Sequence, residues 1–477
     1  MYSIERIYID GQFVRPHGQE WFDLYNPSTG DVMGRVRLGD AQDTKNAIAA
    51  ARRAFPAFSH TGKEQRVAWL KRLYEAVLAK VDRLAAATIE EYGAPATRAV
   101  WGARYAAESF LNAAQTLEEY SFTRRIASAE VVMEPIGVAA LITPWNANAG
   151  FICNKLATAI AAGCTAVVKP SEMSAIQTQI VTEALHDAGL PAGVFNIVTG
   201  RGDVVGAELS ASPHIAKISF TGSTPVGKSI LRASADTMKR VTLELGGKSP
   251  TLILDDANLE TAVPLAVRSG FQNSGQACIA GTRILVPERC LPDVIRLAKE
   301  AVSTVKVGQL QDADSAIGPM VSQRQYERVQ GYIRRGVEEG ATLVIGGEGH
   351  PDGLAGYYVK PTVFANVTNE MSIAREEIFG PVLCILTYRS EEEAIAIAND
   401  TVYGLHAYVI SSDIERARAV ASMLEAGRVS INGAPHEPLA PFGGYKQSGI
   451  GREYGTFGLE AFLETKAILG AVALEPK

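Results

Sequence analysis

Two rhythms of hydrophobic and polar positions divide this chain of 477 residues. Ahead of residue 121, a strand-like start gives way to helical spacing. Ala41 to Phe58 carries apolar residues every three or four positions, with Asp40 or Asp43 as its N-cap. Glu64 to Tyr92 is a second long helical pattern. The stretch SFTRRIASAEVVMEPI (121–136) is polar, rich in β-branched residues and without helical period, so it predicts an extended ribbon. From 137 the rhythm changes: GVAALIT, CTAVVKP, VFNIVTG and HIAKISF alternate with helical stretches at Asn154 to Ala162 and Ser174 to Ala188. Such alternation predicts βαβ units, a parallel sheet covered on both faces, and ligands beyond the C-terminal strand ends. A second alternating region over 247–446 contains TLILDD, RILVP, ATLVIG, VLCILTY and HAYVIS. A short tail with a helix-like and a strand-like piece follows.

The length exceeds what one hydrophobic core holds, so at least two domains are expected. Hydrophobic residues at 47% and charged residues at 21% exclude a disordered or low-complexity chain. A net charge of −6 argues against nucleic acid as the main ligand. Cys153, Cys164, Cys278, Cys290 and Cys384 form no close pairs, which fits neither a disulfide framework nor a zinc ribbon and points to a reducing compartment. The seven histidines are scattered, so no metal site is expected. The N-terminus lacks a signal-like apolar core, and the apolar run Leu156 to Val168 is too short to span a bilayer. A cytoplasmic location, without membrane partners, is the expectation.

Three residues carry candidate chemistry. Cys278, in FQNSGQACIAGT, is either a small buried hydrophobe or a nucleophile. A small-residue loop leading into a helix start would expose its sulfur and lower the thiol pKa. Glu244, in LELGGKSP, lies between two leucines; it is an ion-paired carboxylate or a desolvated general base. Asn146, in LITPWNAN, ends an apolar strand and is a turn former or an N–H donor to a developing oxyanion.

Taken together, PWN, ELGGK and GQAC resemble the aldehyde dehydrogenase superfamily. KPSE (169–172), FTGST (220–224), EEIFGPV (376–382) and PFGGYKQSG (441–449) extend the likeness from about residue 7 to 470. The resemblance implies an α/β fold with a Rossmann-like cofactor domain (1–120 and 137–246), a second α/β catalytic domain (247–446) and a small β bridging element (121–136 and 447–477). It implies a homodimer or a dimer of dimers joined through that element. It makes Cys278 the nucleophile, Asn146 and the Cys278 N–H the oxyanion donors, and Glu244 the base that hydrolyses a thioester. Lys155 matches a lysine near the asparagine and either aids proton transfer or lies at the surface. For the cofactor the resemblance implies Thr143, Trp145, Lys169, Ser171, Glu172, Gly202, Gly206, Phe220, Gly222, Ser223, Leu245, Glu377 and Phe379. A carboxylate at 172 would accept from ribose hydroxyls and repel a 2′-phosphate, which favours NAD over NADP. A full GxGxxG is lacking, as in that family; Gly200-Arg201-Gly202 has part of it.

Other readings compete. GSTPVGKS (222–229) fits the Walker A pattern and TLILDD a Walker B, which would make a P-loop NTPase with Lys228 on the phosphates. Pro225 removes an N–H such a cradle would use. A CoA-acylating relative would need no base at Glu244, and a retired enzyme would need none of the three residues. For the substrate, Ala147 stands where many relatives carry an aromatic, and Asn148, Phe151, Asn154, Ala277, Ile279 and His436 are pocket candidates by position. These predict an aldehyde larger or more polar than a short alkanal. His436 has a loop role as its alternative. With no arginine in those segments except Arg283, a carboxylate-bearing semialdehyde is not expected. Cys164 and Cys384 read as structural.

Overall fold

Asp40 and Asp43 act together at the first long helix, α1 (Ala41–Ser59). The Asp40 carboxylate accepts from the N–H groups of Gln42 and Asp43, and Asp43 accepts in return from the Asp40 N–H. The structure, a computed structural model, describes residues 1–470. The helical pattern after 63 is two helices, not one: α2 (Lys63–Leu78) and α3 (Val81–Tyr92). A tight turn at Ala79 and Lys80 re-aims α3, so that both helices lie across α4 (Ala96–Glu119).

Five parallel strands form the centre of the first sheet: β1 (Val138–Ile142), β2 (Thr165–Lys169), β3 (Phe195–Ile197), β4 (Lys217–Thr221) and β5 (Arg240–Glu244). Between them run α5 (Asn148–Ala162) after β1, α6 (Ala175–Asp187) after β2 and α7 (Thr224–Ser234) after β4. Helix α5 begins six residues before the periodic run at Asn154. The spatial order is β5-β4-β1-β2-β3, so the winding reverses beside β1. Ile7–Ile9 and Gln12–Val14 extend the β3 edge, and Gly449–Ile450 pairs antiparallel with β5. Along β1, Ala139 and Leu141 enter one hydrophobic layer while Val138, Ala140 and Ile142 enter the other. The apolar run of this strand therefore follows from burial on both faces.

The second sheet starts at β6 (Pro250–Ile253). It continues, after α8 (Leu259–Phe271), with β7 (Arg283–Pro287), β8 (Thr342–Ile345), β9 (Thr362–Ala365), β10 (Val382–Tyr388), β11 (His406–Ile410) and β12 (Arg428–Ile431). Its order is β8-β9-β10-β7-β6-β11-β12, parallel except for β8. The same period of two separates Leu252 and Leu285 on one face from Ile253, Ile284 and Val286 on the other.

The 121–136 ribbon is a hairpin of Thr123–Ile126 and Ala129–Pro135, and Leu463–Leu469 joins it in antiparallel register. Between this strand and Gly449–Ile450 lies a short helix, Gly455–Glu460. The tail is thus shared, its first residues on the first sheet and its last strand on the ribbon. The stretch 471–477 of the expected bridging element lies outside the described residues.

Candidate active site

The switch point beside β1 gathers the groups that a nucleotide would meet. Just past β1, the Thr143 N–H donates to the Lys169 carbonyl (3.0 Å) and keeps the chain paired with β2 for one more residue. Lys169 Nζ donates to Glu172 Oε2 (3.0 Å), and Ser171 Oγ accepts from the Met173 N–H (3.3 Å). Gly202 and Gly206 lie on a widened helical turn, and a Cβ at either would meet nothing within 4 Å. Their positions face open space rather than protein. Ser223 precedes α7 in extended backbone without a side-chain cap, so the first-turn N–H groups of α7 stay available to an anion. Phe220 and Leu245 are buried beneath this helix end, packed under Gly222 and Gly227. The hydroxyls of Thr143 and Thr221, at the ends of neighbouring strands β1 and β4, are buried without a partner among the described residues. These open glycines, free N–H groups and orphaned hydroxyls fit a dinucleotide.

Two residues named for the nicotinamide end sit across the crevice. Glu377 Oε1 accepts from the Gly247 N–H (3.0 Å), and burial pushes its carboxyl up to about 7. Phe379 holds a left-handed φ of 63°, and its ring meets Trp145 edge-on at 5.4 Å. A bulky residue at positive φ is a strained position of the kind found at ligand clamps.

A left-handed run, Asn273 (φ 52°), Ser274 (φ 59°) and Gly275 (φ 72°), carries the chain from α8 toward Cys278. A Cβ at Gly275 would collide with the Gly380 carbonyl, so glycine is required there. The loop is tied at several points. Asn273 Nδ2 donates to the carbonyls of Asn146 (3.0 Å) and Gln276 (3.1 Å). Gln276 donates to Tyr92 Oη (3.3 Å) and the Pro319 carbonyl (3.2 Å), and accepts from the Val321 N–H (3.0 Å). Asn146 Nδ2 donates to the Gln276 carbonyl (2.9 Å), which leaves its second hydrogen for another acceptor. Asn146 and Cys278 are thereby joined across the two sheets. Cys278 precedes β7 and so lies at the amino end of its own sheet, turned toward the carboxyl end of the first. The expectation that the sites fall at C-terminal strand ends holds for the first sheet and not for this cysteine.

A second expectation is corrected at the sulfur. Cys278 sits in a turn and not at a helix start, so no helix dipole lowers its pKa. Burial, with the carboxylates of Glu377 and Glu244, pushes the thiol up to about 12.

Glu244 ends β5. Its side chain is buried, and neither oxygen has a hydrogen-bond partner among the described residues. Burial first, and then the nearby Glu453, hold its carboxyl well above the usual range; Lys155, Arg452 and Arg428 pull the other way. Lys155 is buried, which removes its surface-lysine reading. It pairs with Glu453 and donates to Ser219 Oγ (2.9 Å), which donates to Glu453 Oε1 (2.8 Å). Glu453 escaped the sequence reading because Arg452-Glu453 looks like an ordinary exposed charge pair. Only the pairing of Gly449–Ile450 along β5 carries it inward.

Among the pocket candidates, Phe151 lies half-buried on the first turn of α5. The backbone carbonyl of Ile279 accepts from Tyr408 Oη (2.8 Å), and Ala277 stands directly before Cys278. Asn154 is buried one turn further along α5 and faces α4. Asn148 is removed from the pocket: its amide is fully buried, donating to Thr178 Oγ1 (2.9 Å) and the Ser174 carbonyl (3.4 Å), where it ties α5 to α6. His436 bonds Tyr105 Oη (2.9 Å) and Arg428 (3.0 Å). Tyr105 and its neighbour Trp101 on α4 were missed, because α4 carries no motif.

The Walker A reading fails on geometry. Residues 224–229 are the first turns of α7 and not a loop, and Lys228 Nζ donates to Gln447 Oε1 (2.9 Å). TLILDD belongs to the other sheet, where Asp255 pairs with Arg289 and Arg416. No group of residues suited to a metal occurs among the described residues.

A nucleotide crevice at one sheet's switch point, with a thiol and an unpaired carboxylate held beside it, defines a nucleotide-dependent enzyme with a cysteine at its centre. The profile of the aldehyde dehydrogenase family matches residues 13–468. A 3-succinoylsemialdehyde-pyridine dehydrogenase from a Pseudomonas species is 48% identical over 473 residues, covering 98% of this chain and 99% of that one. A mutant aldehyde dehydrogenase C from Pseudomonas syringae, solved with NAD+ and octanal, is 46% identical, with a TM-score of 0.97 over 99% of this chain and 98% of that one. The Mycobacterium tuberculosis aldehyde dehydrogenase complexed with NAD+ is 37% identical, with a TM-score of 0.96 and 99% of both chains covered. The chain belongs to the aldehyde dehydrogenase family, and it oxidises aldehydes with a nicotinamide dinucleotide. Neither the CoA-acylating reading nor the NTPase reading finds support in these relatives.

Proposed function

We propose that this enzyme converts an extended or ring-bearing uncharged aldehyde to its carboxylic acid with NAD, through a thioester on Cys278. The observation that carries the reading is the unpaired Glu244 carboxylate, buried between Cys278 and the Lys155–Glu453 pair. A carboxyl with a raised pKa is a base matched to near-neutral chemistry. Glu244 takes the Cys278 proton, and the thiolate adds to the aldehyde carbon. The second Asn146 Nδ2 hydrogen and the Cys278 N–H hold the oxyanion. Glu377 and Phe379 would hold the ribose and ring of a nicotinamide, which when bound would supply the acceptor for the hydride that the thiohemiacetal carbon gives up. Lys155 and Glu453 first carry the thiol proton off Glu244, which then draws a proton from water as the water attacks the thioester and the Cys278 thiolate leaves. Lys155 and Glu453 carry that proton away from the pocket.

The Glu172 carboxylate, held by Lys169, is the support for NAD over NADP. Asp or Glu at the ribose accepts from two hydroxyls and repels a phosphate. Replacing Glu172 with Ser is expected to raise NADP use relative to NAD by roughly tenfold, read from kcat/KM with each cofactor. The aldehydes named for two relatives, a pyridine-bearing semialdehyde and octanal, support a long or ring-bearing aldehyde. Thr123–Ile126, Ala129–Pro135 and Leu463–Leu469 would join chains in a homodimer or dimer of dimers. The five free cysteines suit a reducing cytoplasm.

The test is NADH formation across an aldehyde panel, for the wild type and for Cys278→Ala. Activity should fall by at least about a thousandfold in the variant. Full activity in Cys278→Ala would refute the thioester route.

A further inference from the structure

Helix α4 carries no family motif, yet it presents an exposed aromatic surface beside the reaction site. Trp101 is 46% exposed, unusual for the residue type, and its ring lies flat against Tyr105 (5.2 Å, 8°). Tyr105 continues the row to His436, through a hydrogen bond of 2.9 Å and edge contact at 5.5 Å. His436 is neutral: burial and Arg428 hold its imidazole down to about 4. Because an arginine donates to Nδ1, the hydrogen sits on Nε2 and is given to Tyr105 Oη. Arg428 also donates to the carbonyls of Glu437, Ala440 and Pro441, which fixes the loop bearing His436.

This row is anchored to the active site at two points. At one, its central Tyr105 lies against Gly150, on the first turn of α5, four residues past Asn146. At the other, the Arg98 guanidinium lies 4.3 Å over Trp101 and beside Tyr92, whose hydroxyl accepts from Gln276, two residues before Cys278. Arg98 is half-buried, yet its guanidinium has no hydrogen-bond or ion-pair partner among the described residues. An arginine stacked on an exposed tryptophan with all its donors free is arranged for a ligand acceptor.

We propose that Trp101 and Tyr105, with His436 edge-on beside them, form an aromatic wall that selects aldehydes whose far end is an aromatic ring, and that Arg98 donates to an acceptor carried on or next to that ring. The inference rests on the aldehyde-oxidising reading and names its substrate class. The wall stacks on the ring face, and the neutral His436 adds no charge for an uncharged substrate to desolvate. The role of these residues is specificity: none touches the reacting carbon.

The experiment uses the full chain with NAD and four aldehydes of similar reach: phenylpropanal, pyridylpropanal, cyclohexylpropanal and hexanal. Trp101→Leu is expected to raise KM for the two aromatic aldehydes by roughly three- to tenfold with kcat little changed, and to move hexanal by less than about twofold. Arg98→Met should lose the wild type's preference for pyridylpropanal over phenylpropanal. A second readout needs no turnover: pyridylpropionate should quench tryptophan emission of Cys278→Ala, and the quenching should disappear when Trp101→Leu is added. Equal effects on aromatic and aliphatic aldehydes, or unchanged quenching, would overturn the proposal. So would a Trp101→Leu protein with altered subunit mass and unaltered KM values, since Trp101 would then be a subunit contact. If the wild type oxidised none of the four, the aldehyde reading would fail, and the quenching would still decide the wall.

Discussion

At the scale of single residues, the free enzyme keeps its nucleophile protonated. A thiol pushed up to about 12 has about one part in 10^5 as thiolate at neutral pH. Two carboxylates contribute to that rise, and removing either one lowers the thiol pKa. Glu377→Gln and Glu244→Gln are therefore expected to be alkylated by iodoacetamide faster than the wild type at pH 7. In the wild type the rate should climb about tenfold per pH unit between pH 7 and 10. A flat profile would show that Cys278 is ionised already and that Glu244 is not needed to deprotonate it. In turnover Glu244→Gln should do the opposite of what it does in alkylation. Thiol deprotonation and deacylation would both lose their base, so kcat should fall by roughly 10^2- to 10^3-fold and the first-turnover burst of NADH should slow with it. A burst at the wild-type rate followed by slow turnover would assign Glu244 to deacylation alone.

At the scale of elements, β5 and β1 place Glu244 and Asn146, whereas Cys278 is placed by a strained loop. Asn273, Ser274 and Gly275 all hold left-handed backbone, which asparagine and glycine tolerate and most residues do not. Asn273 has a second task, since its amide fastens both Asn146 and Gln276. The two contributions separate by substitution. Asn273→Gly keeps the backbone and loses the fastening; Asn273→Ala loses both. Thermal unfolding should rank wild type above Asn273→Gly above Asn273→Ala, the last by about 1–3 kcal/mol. Activity in both variants should drop by a similar factor, because both leave Asn146 free to turn from the oxyanion position. If Asn273→Gly were fully active, the fastening would be structural only. The sequence offers GQAC as a motif, and it says nothing of this geometry, because left-handed φ at a non-glycine residue leaves no periodic trace.

At the scale of the whole molecule, two sheets meet with buried carboxylates between them. Glu244 and Glu377 both have raised pKa values in the fold, Glu377 to about 7. The unfolded chain titrates them near the model-peptide value of about 4.3. Between those values the folded state holds more protons than the unfolded one, so stability falls as pH rises. The melting temperature should therefore decline from about pH 6.5 toward pH 8, above the range in which the lowered His406 and His436 contribute the opposite slope, and Glu377→Gln should flatten that decline. A rising profile across this range would contradict the raised values. The outer ribbon makes a second prediction at this scale. Ile126, Ile468 and Leu469 are exposed on it, at 61%, 41% and 81%. Replacing Ile126 and Leu469 with Asp should lower the assembly's mass toward one chain in sedimentation if the ribbon joins subunits.

Sequence by itself determined the sheet strands, because burial on both faces demands unbroken apolar runs such as VAALI and VLCIL. It also determined Cys278, Glu244 and Asn146 as the chemistry to examine, because each sits in a short motif with a local signature. It could not give the protonation of Cys278, which depends on carboxylates more than thirty positions away along the chain in either direction. It misplaced Asn148, whose buried bonds to α6 arise only once α5 and α6 pack. It passed over Glu453, Arg98, Trp101 and Tyr105, whose roles come from elements distant in sequence brought against the same few ångströms of space. Local pattern fixes which residues are apolar, permissive or reactive. Only the packing of one sheet against the other decides which of them meet, and in what electrostatic surroundings.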